Sequence, residues 1–238
     1  MGQQDNEIVL LAGLPRTGST LLQNLLAQNP DVYSEGNSGL CTVMWDAKIS
    51  CEHNAAQQLI GVGKDVTFKN ALLKSMPSIY YPDIKGKIIL DKTRTWVNEA
   101  NICMARSYIS EDVKTIVMVR PLEEIVASLV KVSAQNSFDF PYEGLLSEGG
   151  DFLREVHATY FAAKSQDPSF LFVSYDDVVS RTDETLARIY NHIGKEPFAH
   201  NVHQVTQTVF EDDERNNMVG MHDIRPEIAK QANEVVLP

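Results

Sequence analysis

Gly13-Leu-Pro-Arg-Thr-Gly-Ser-Thr20 is the stretch that decides the fold of this chain. Ahead of it runs Glu7-Ile-Val-Leu-Leu-Ala-Gly13, short, apolar and rich in branched residues, which reads as a buried strand. Behind it runs Gly18-Ser-Thr-Leu-Leu-Gln-Asn-Leu-Leu-Ala-Gln28, which reads as a helix. Strand, glycine-bounded turn and helix form the opening of a βαβ unit. Similar apolar runs recur at 87–91, 113–119 and 169–174, with helical periodicity over 96–108, 122–134, 151–165 and 183–193. Strands alternating with helices predict an α/β fold, a P-loop-like three-layer architecture with a central parallel sheet flanked by helices. Residues 37–82 read as a mostly helical insertion expected to cap the site. Residues 137–150, with Pro141, Gly144, Gly149 and Gly150, read as a surface loop. The 238 residues are expected to form one domain.

The turn itself fits the phosphate-binding spacing G-x-x-x-x-G-K-[ST], except that Ser19 stands in the lysine position. A glycine-bounded loop entering a helix aims backbone N–H groups at an anion, and the helix dipole adds to the attraction. The lysine that bridges the outer phosphates of a triphosphate is missing. Arg16, inside the loop, supplies a planar, bidentate cation instead. The loop therefore suits a phosphate but not an ordinary magnesium triphosphate.

A second candidate anion site follows the strand at 113–119. Arg120-Pro121 stands at its carboxyl end, where ligands of parallel sheets bind, and Ser128 follows two helical turns on. Glu123 or Glu124 is an alternative, structural partner for Arg120.

Taken together, these motifs resemble the sulfotransferases that use 3′-phosphoadenosine 5′-phosphosulfate (PAPS). Leu14-Pro-Arg-Thr-Gly-Ser-Thr-Leu-Leu is similar to the family's 5′-phosphosulfate loop, and Val117-Met-Val-Arg-Pro-Leu-Glu-Glu-Ile-Val-Ala-Ser128 to its 3′-phosphate site. Asn29-Pro-Asp-Val-Tyr-Ser-Glu35 resembles the protein-tyrosine and carbohydrate branches more than the small-molecule cytosolic branch, and Val173-Ser-Tyr-Asp-Asp-Val-Val is also family-like. The resemblance implies sulfuryl transfer from PAPS to a hydroxyl-type acceptor by in-line displacement, with PAP (adenosine 3′,5′-bisphosphate) as product and no metal required. It implies that Arg16, Thr17, Gly18, Ser19 and Thr20 hold the 5′-phosphosulfate and that Arg120 and Ser128 hold the 3′-phosphate. Lys92, in Asp91-Lys-Thr93, is similar to a family lysine that touches the transferring group. Glu35 resembles the catalytic base, although an ungapped count puts that base at Gly36, Asn37 or Ser38. The catalytic set is thus Glu35, Lys92 and Arg16, with His53 in reserve.

Two rival readings share these residues. An ATP-dependent small-molecule kinase would use the same loop, with Asp91 as a magnesium-binding strand end. A non-catalytic nucleotide-binding protein would use the site without a base. In the C-terminal region, Glu211-Asp-Asp-Glu214 reads as a solvated loop. Met221-His-Asp-Ile-Arg225 reads either as a flap over the nucleotide or as part of a surface helix.

The formal net charge of −11 argues against nucleic-acid binding and weakly against strongly anionic acceptors. The acceptor is expected to be a small molecule, a glycan or a peptide; the oligomeric state is left open. No apolar run is long enough to span a membrane. The polar start, Met1-Gly-Gln-Gln-Asp-Asn-Glu7, has neither a signal-peptide pattern nor a good myristoylation match. Cys41, Cys51 and Cys103 lack metal spacing and suit reduced thiols in the cytoplasm.

Overall fold

A computed structural model describes residues 6–137, 142–145, 147–215 and 217–229. The chain's first five residues, Pro141 and the last nine residues lie outside them. Five strands, β1 (Glu7–Gly13), β2 (Val32–Asn37), β3 (Ile88–Lys92), β4 (Lys114–Val119) and β5 (Phe170–Ser174), form one sheet in the order β2-β3-β1-β4-β5. Every pairing is parallel. The helices are α1 (Ser19–Leu26), α2 (Leu40–Ile49), α3 (Ala56–Gly61), α4 (Asp65–Tyr80), α5 (Glu99–Tyr108), α6 (Leu122–Gln135), α7 (Tyr142–Leu145), α8 (Asp151–Ser165), α9 (Tyr175–Ser180) and α10 (Thr182–His192). A π-turn, Ser50–Asn54, lengthens α2, and a 3₁₀ turn, Arg94–Val97, precedes α5. The short α7 lies within the expected loop 137–150. No described helix is long and apolar enough to cross a membrane.

Successive side chains of a strand point to opposite faces, so a strand in a three-layer fold must be apolar on both. β1 meets this demand. Val9 and Leu11 pack with Leu22 and Leu25 of α1 and Ile189 of α10, whereas Leu10 and Ala12 pack with Met44 of α2, Leu73 of α4 and Ala105 of α5. A smaller cluster of Leu14, Ile125, Leu129 and Phe152 sits under the phosphate loop. The chain leaves β1 toward β2 on one side and leaves β4 toward β5 on the other. The connections diverge there and open a crevice at the carboxyl edge.

β3 carries the sharpest consequence of alternation. Asp91 faces α2 and the 3₁₀ turn and is fully buried. Its carboxylate accepts from Trp96 Nε1 at 2.6 Å, Ser38 Oγ at 2.7 Å and Tyr81 Oη at 2.8 Å. Burial raises its pKa, and the Trp96, Ser38 and Tyr81 bonds oppose that rise. The indole must turn in to make its bond, so the continuous helix expected over 96–108 is broken, and α5 starts only after Asn98.

The C-terminal segment lies back across the molecule as an extended strap, with no helix among its described residues after His192. Two polar residues, Asn24 of α1 and Gln28 just past its end, hold it. Asn24 Oδ1 accepts from Val209 N at 2.8 Å and Thr208 N at 2.6 Å, and Gln28 bonds Asn201 in both directions. Val205 N donates to Pro226 O at 2.8 Å, which folds the strap's end back over its beginning.

Asp91→Ala leaves three buried donors without an acceptor. It is expected to cost about 3 kcal/mol of stability, read as a lowered midpoint in urea unfolding. Asp91→Asn, which keeps one acceptor oxygen, is expected to cost less.

Candidate active site

A cleft of about 350 Å3 opens where the chain leaves β1, β3, β4 and β5. One wall is the loop after β1. Gly18 there has φ +88°, and a Cβ at that position would meet the Tyr175 ring at 2.6 Å, so glycine alone fits. Arg16 also adopts a left-handed backbone, φ 63°, which costs energy in any residue with a side chain. Thr17 Oγ1 donates to Leu14 O at 2.7 Å and locks the turn, and it is fully buried.

The two motifs read from sequence meet in this cleft. Arg16 Nε donates to Ser128 Oγ at 2.9 Å, across from the first motif to the second. Arg120 Nη1 donates to Arg16 O at 3.1 Å, and its guanidinium lies 4.2 Å from the centroid of the Tyr175 ring. Arg120 also pairs with Glu124 at 2.9 Å, so the structural partner foreseen for it is present alongside its place in the cleft. Burial lowers the pKa of Arg16, and the neighbouring Arg120 charge lowers it further. Two guanidiniums this close call for an anion between or beside them. Tyr175, at the carboxyl end of β5, received no role from sequence, although that position was signal enough.

Lys92 forms the floor. Its side chain is 6% exposed, and Nζ lies 3.4 Å from Thr20 Oγ1. Burial lowers its pKa, while the carboxylate of Glu211 raises it. The pair is tight, Nζ to Oε1 2.5 Å, and the Glu211 side chain is 7% exposed. Here the solvated-loop reading of 211–214 fails. Glu211 and Asp213 turn inward, while Asp212 and Glu214 face solvent, because the Asn24 clamp presses the strap against β2 and β3. Asp213 accepts from His222 N at 2.8 Å and meets His222 Nδ1 at 2.5 Å. Met221, His222, Asp223, Ile224 and Arg225 line the cleft opposite the phosphate loop.

Glu35 does not line the cleft. Alternation on β2 places it with Tyr33, whose hydroxyl donates to it at 2.7 Å. That bond, more than burial, pushes the Tyr33 phenol up to about 12. A register shift between Ser34 and Asn37 then turns Asn37 into the cleft, where Nδ2 bonds Glu211 Oε2. Asn37 is the only residue of 37–82 among those lining the cleft. His53 lies in the π-turn, away from it. Asp91, the magnesium candidate, is on the opposite face of β3 with its oxygens taken. Among the described residues no group of three His, Cys, Asp or Glu gathers as a metal site.

The sulfotransferase family profile matches residues 9–199. The chain belongs to the sulfotransferase family. Its reaction is sulfuryl transfer, and PAPS is its donor, as is typical of the family. The kinase reading is not favoured. Solved structures share the fold at low identity. The sulfotransferase domain of the curacin biosynthetic pathway is 18% identical with TM-score 0.55, covering 83% of this chain and 76% of that one. The sulfotransferase domain of the Synechococcus PCC 7002 olefin synthase is 16% identical with TM-score 0.55, covering 98% and 92%. Sulfotransferase STF9 of Mycobacterium avium is 14% identical with TM-score 0.52, covering 83% and 66%. No curated protein gives a significant sequence match. The strap from Asn201 onward lies beyond the matched region.

Gly18→Ala forces a Cβ into the Tyr175 ring at a positive φ. It is expected to lower stability by about 1–2 kcal/mol and to weaken PAP binding at least tenfold, measured by calorimetric titration of the folded variant.

Proposed function

We propose that this sulfotransferase binds PAPS with its 3′-phosphate between Arg120, Ser128 and Arg16, and its 5′-phosphosulfate on the loop Arg16 to Thr20 above Lys92. The observation that carries this is the bond between Arg16 and Ser128, which joins the two anion motifs into one site. A nucleoside phosphorylated at both the 3′ and the 5′ oxygen of its ribose needs two cationic stations at a fixed distance. ATP, with one phosphate chain, would leave the Arg120 station unused.

The roles divide by charge. Backbone N–H groups at the start of α1 hold the 5′-phosphate. Arg16 spans both stations and counters charge on the departing phosphate. Lys92 binds a sulfuryl oxygen and the bridging oxygen, where negative charge grows as the S–O bond breaks. Tyr175 holds the Arg120 guanidinium by its ring face, so the cation is pre-set for a phosphate. Glu35, held by the Tyr33 hydroxyl, stands outside the cleft.

The acceptor is a hydroxyl of a small molecule, glycan or peptide that reaches the cleft beside Asn37, Lys92 and Arg94. Asn37 and the strap shape that entrance, the rest of 37–82 standing away from the cleft rather than capping it, and the chain works as one domain. Cys41 and Cys51 are buried free thiols and Cys103 an exposed one, which suits the reducing cytoplasm. Burial pushes the Cys41 thiol up to about 12, so it stays protonated and inert.

A ligand that binds only the folded chain raises its melting temperature. PAP is expected to raise it by several degrees, with adenosine 5′-phosphosulfate and ATP–Mg2+ far behind. Arg120→Ala is expected to abolish the PAP shift. A larger shift with ATP–Mg2+ than with PAP would overturn the two-station site. Lys92→Ala is expected to keep PAP binding within about threefold and lower turnover of PAPS about 100-fold or more, measured as PAP release.

A further inference from the structure

From just behind the lining of the cleft, the strap presses a carboxylate against residues of its reacting end, Asn37, Lys92 and His222. Glu211 touches three cleft residues. Its Oε1 meets Lys92 Nζ at 2.5 Å, and its Oε2 accepts from Asn37 Nδ2 and lies 3.4 Å from His222 Nε2. His222 is fixed on its other nitrogen by Asp213 at 2.5 Å. The chain of contacts Asp213–His222–Glu211–Lys92 therefore runs from the strap to the phosphate loop.

The fold accommodates this placement. A Cβ on Gly36 would meet Glu211 Cγ at 2.7 Å and Phe210 O at 2.9 Å, so β2 carries glycine where the strap crosses it. Gln23, buried in α1, holds Ser34 Oγ at 2.8 Å and Gly36 O at 3.2 Å and fixes that stretch of β2. Asn24, the next residue, clamps Thr208 and Val209 just before Glu211.

We propose that Glu211 is the catalytic base of the sulfuryl transfer, and that the donor activates it by taking Lys92. The proposal rests on the reading of Lys92 given above. Two anions compete for one ammonium. When the sulfuryl oxygens of PAPS engage Lys92, Glu211 loses its cation but keeps Asn37 and His222. A desolvated carboxylate without its cation holds a proton more tightly than one paired to an ammonium. The base gains strength only when the donor is in place, which protects the site from idle proton transfer. The step balances. The acceptor oxygen bonds to sulfur as the bond from sulfur to the bridging 5′-phosphate oxygen breaks. The bonding pair leaves with the phosphate of PAP, and the acceptor proton passes to Glu211. His222, positioned by Asp213, then carries that proton outward.

Water serves as an acceptor that needs no identification, and p-nitrophenol serves as a phenolic one. PAP release from PAPS is measured for the full chain in buffer and with p-nitrophenol, together with the thermal shift by PAP. Glu211→Gln is expected to keep the PAP shift, which shows an intact fold and donor site, and to lower PAP release about 100-fold with either acceptor. His222→Gln is expected to lower kcat less and leave the KM for PAPS within about twofold. Unchanged PAP release in Glu211→Gln would overturn the proposal, as would turnover lost in Glu35→Gln but kept in Glu211→Gln, or a wild-type chain that binds PAP yet releases none from PAPS with either acceptor. Absence of a PAP shift in the wild-type chain would instead sink the donor site itself.

Discussion

A lysine ammonium does not stay in a protein interior without an anion, and the carboxyl edge of this sheet is organised around that constraint. Lys92 is almost fully enclosed by α1, β2 and the strap. Its partner must arrive from elsewhere, because the carboxylate next to it in sequence, Asp91, points to the other face. Glu211 meets the need from 119 residues away. The strap's path follows from this. Asn24 of α1 and Gln28 beyond its end hold it, Gly36 gives it room, and Asp213 with His222 folds its end back over the cleft. A surface segment with no pairing duty would have little reason to cross the active edge at all.

The fold and the two candidate anion motifs that meet in the cleft were legible because their signals are local. A strand, a glycine-bounded turn and a helix lie within about twenty residues, and the β4 end with Arg120 and Ser128 spans two helical turns. Steric and hydrogen-bonding rules act at that range. The meeting of Arg16 with Ser128 was implied once both strands were placed in one parallel sheet, since all carboxyl ends share an edge. Tyr175 stood at such an end as well and could have been read the same way.

What escaped sequence reading depends on contacts between distant segments or on small breaks in periodicity. Glu35 was placed by its neighbourhood, but strict alternation on β2 sends it out with Tyr33. One irregular step in register brings Asn37 inward instead. The break before α5 came from a single indole turning to a buried carboxylate. The acidic run 211–214 has the composition of a solvated loop, and half of it is one. The other half is drawn in by a lysine and a histidine that the sequence gives no period to connect. Polar Gln23 and Asn24 in the middle of the apolar α1 were the only visible hint that something lay across that helix.

Neighbouring residues on β3 carry opposite charges to opposite faces, and this bears on how the sheet finds its alignment. Asp91 is paired with Leu10 and Lys92 with Leu11 across the β1–β3 ladder. A slip of one residue would exchange their faces. The carboxylate would then face Glu211 in place of its lysine, and the ammonium would be buried beside an indole N–H and two hydroxyls with no carboxylate to pair with. Apolar strands of similar residues offer little to tell one alignment from its neighbour. This Asp-Lys pair penalises the wrong one on both faces at once, so a pair of opposite charges also acts as the spelling check on the fold.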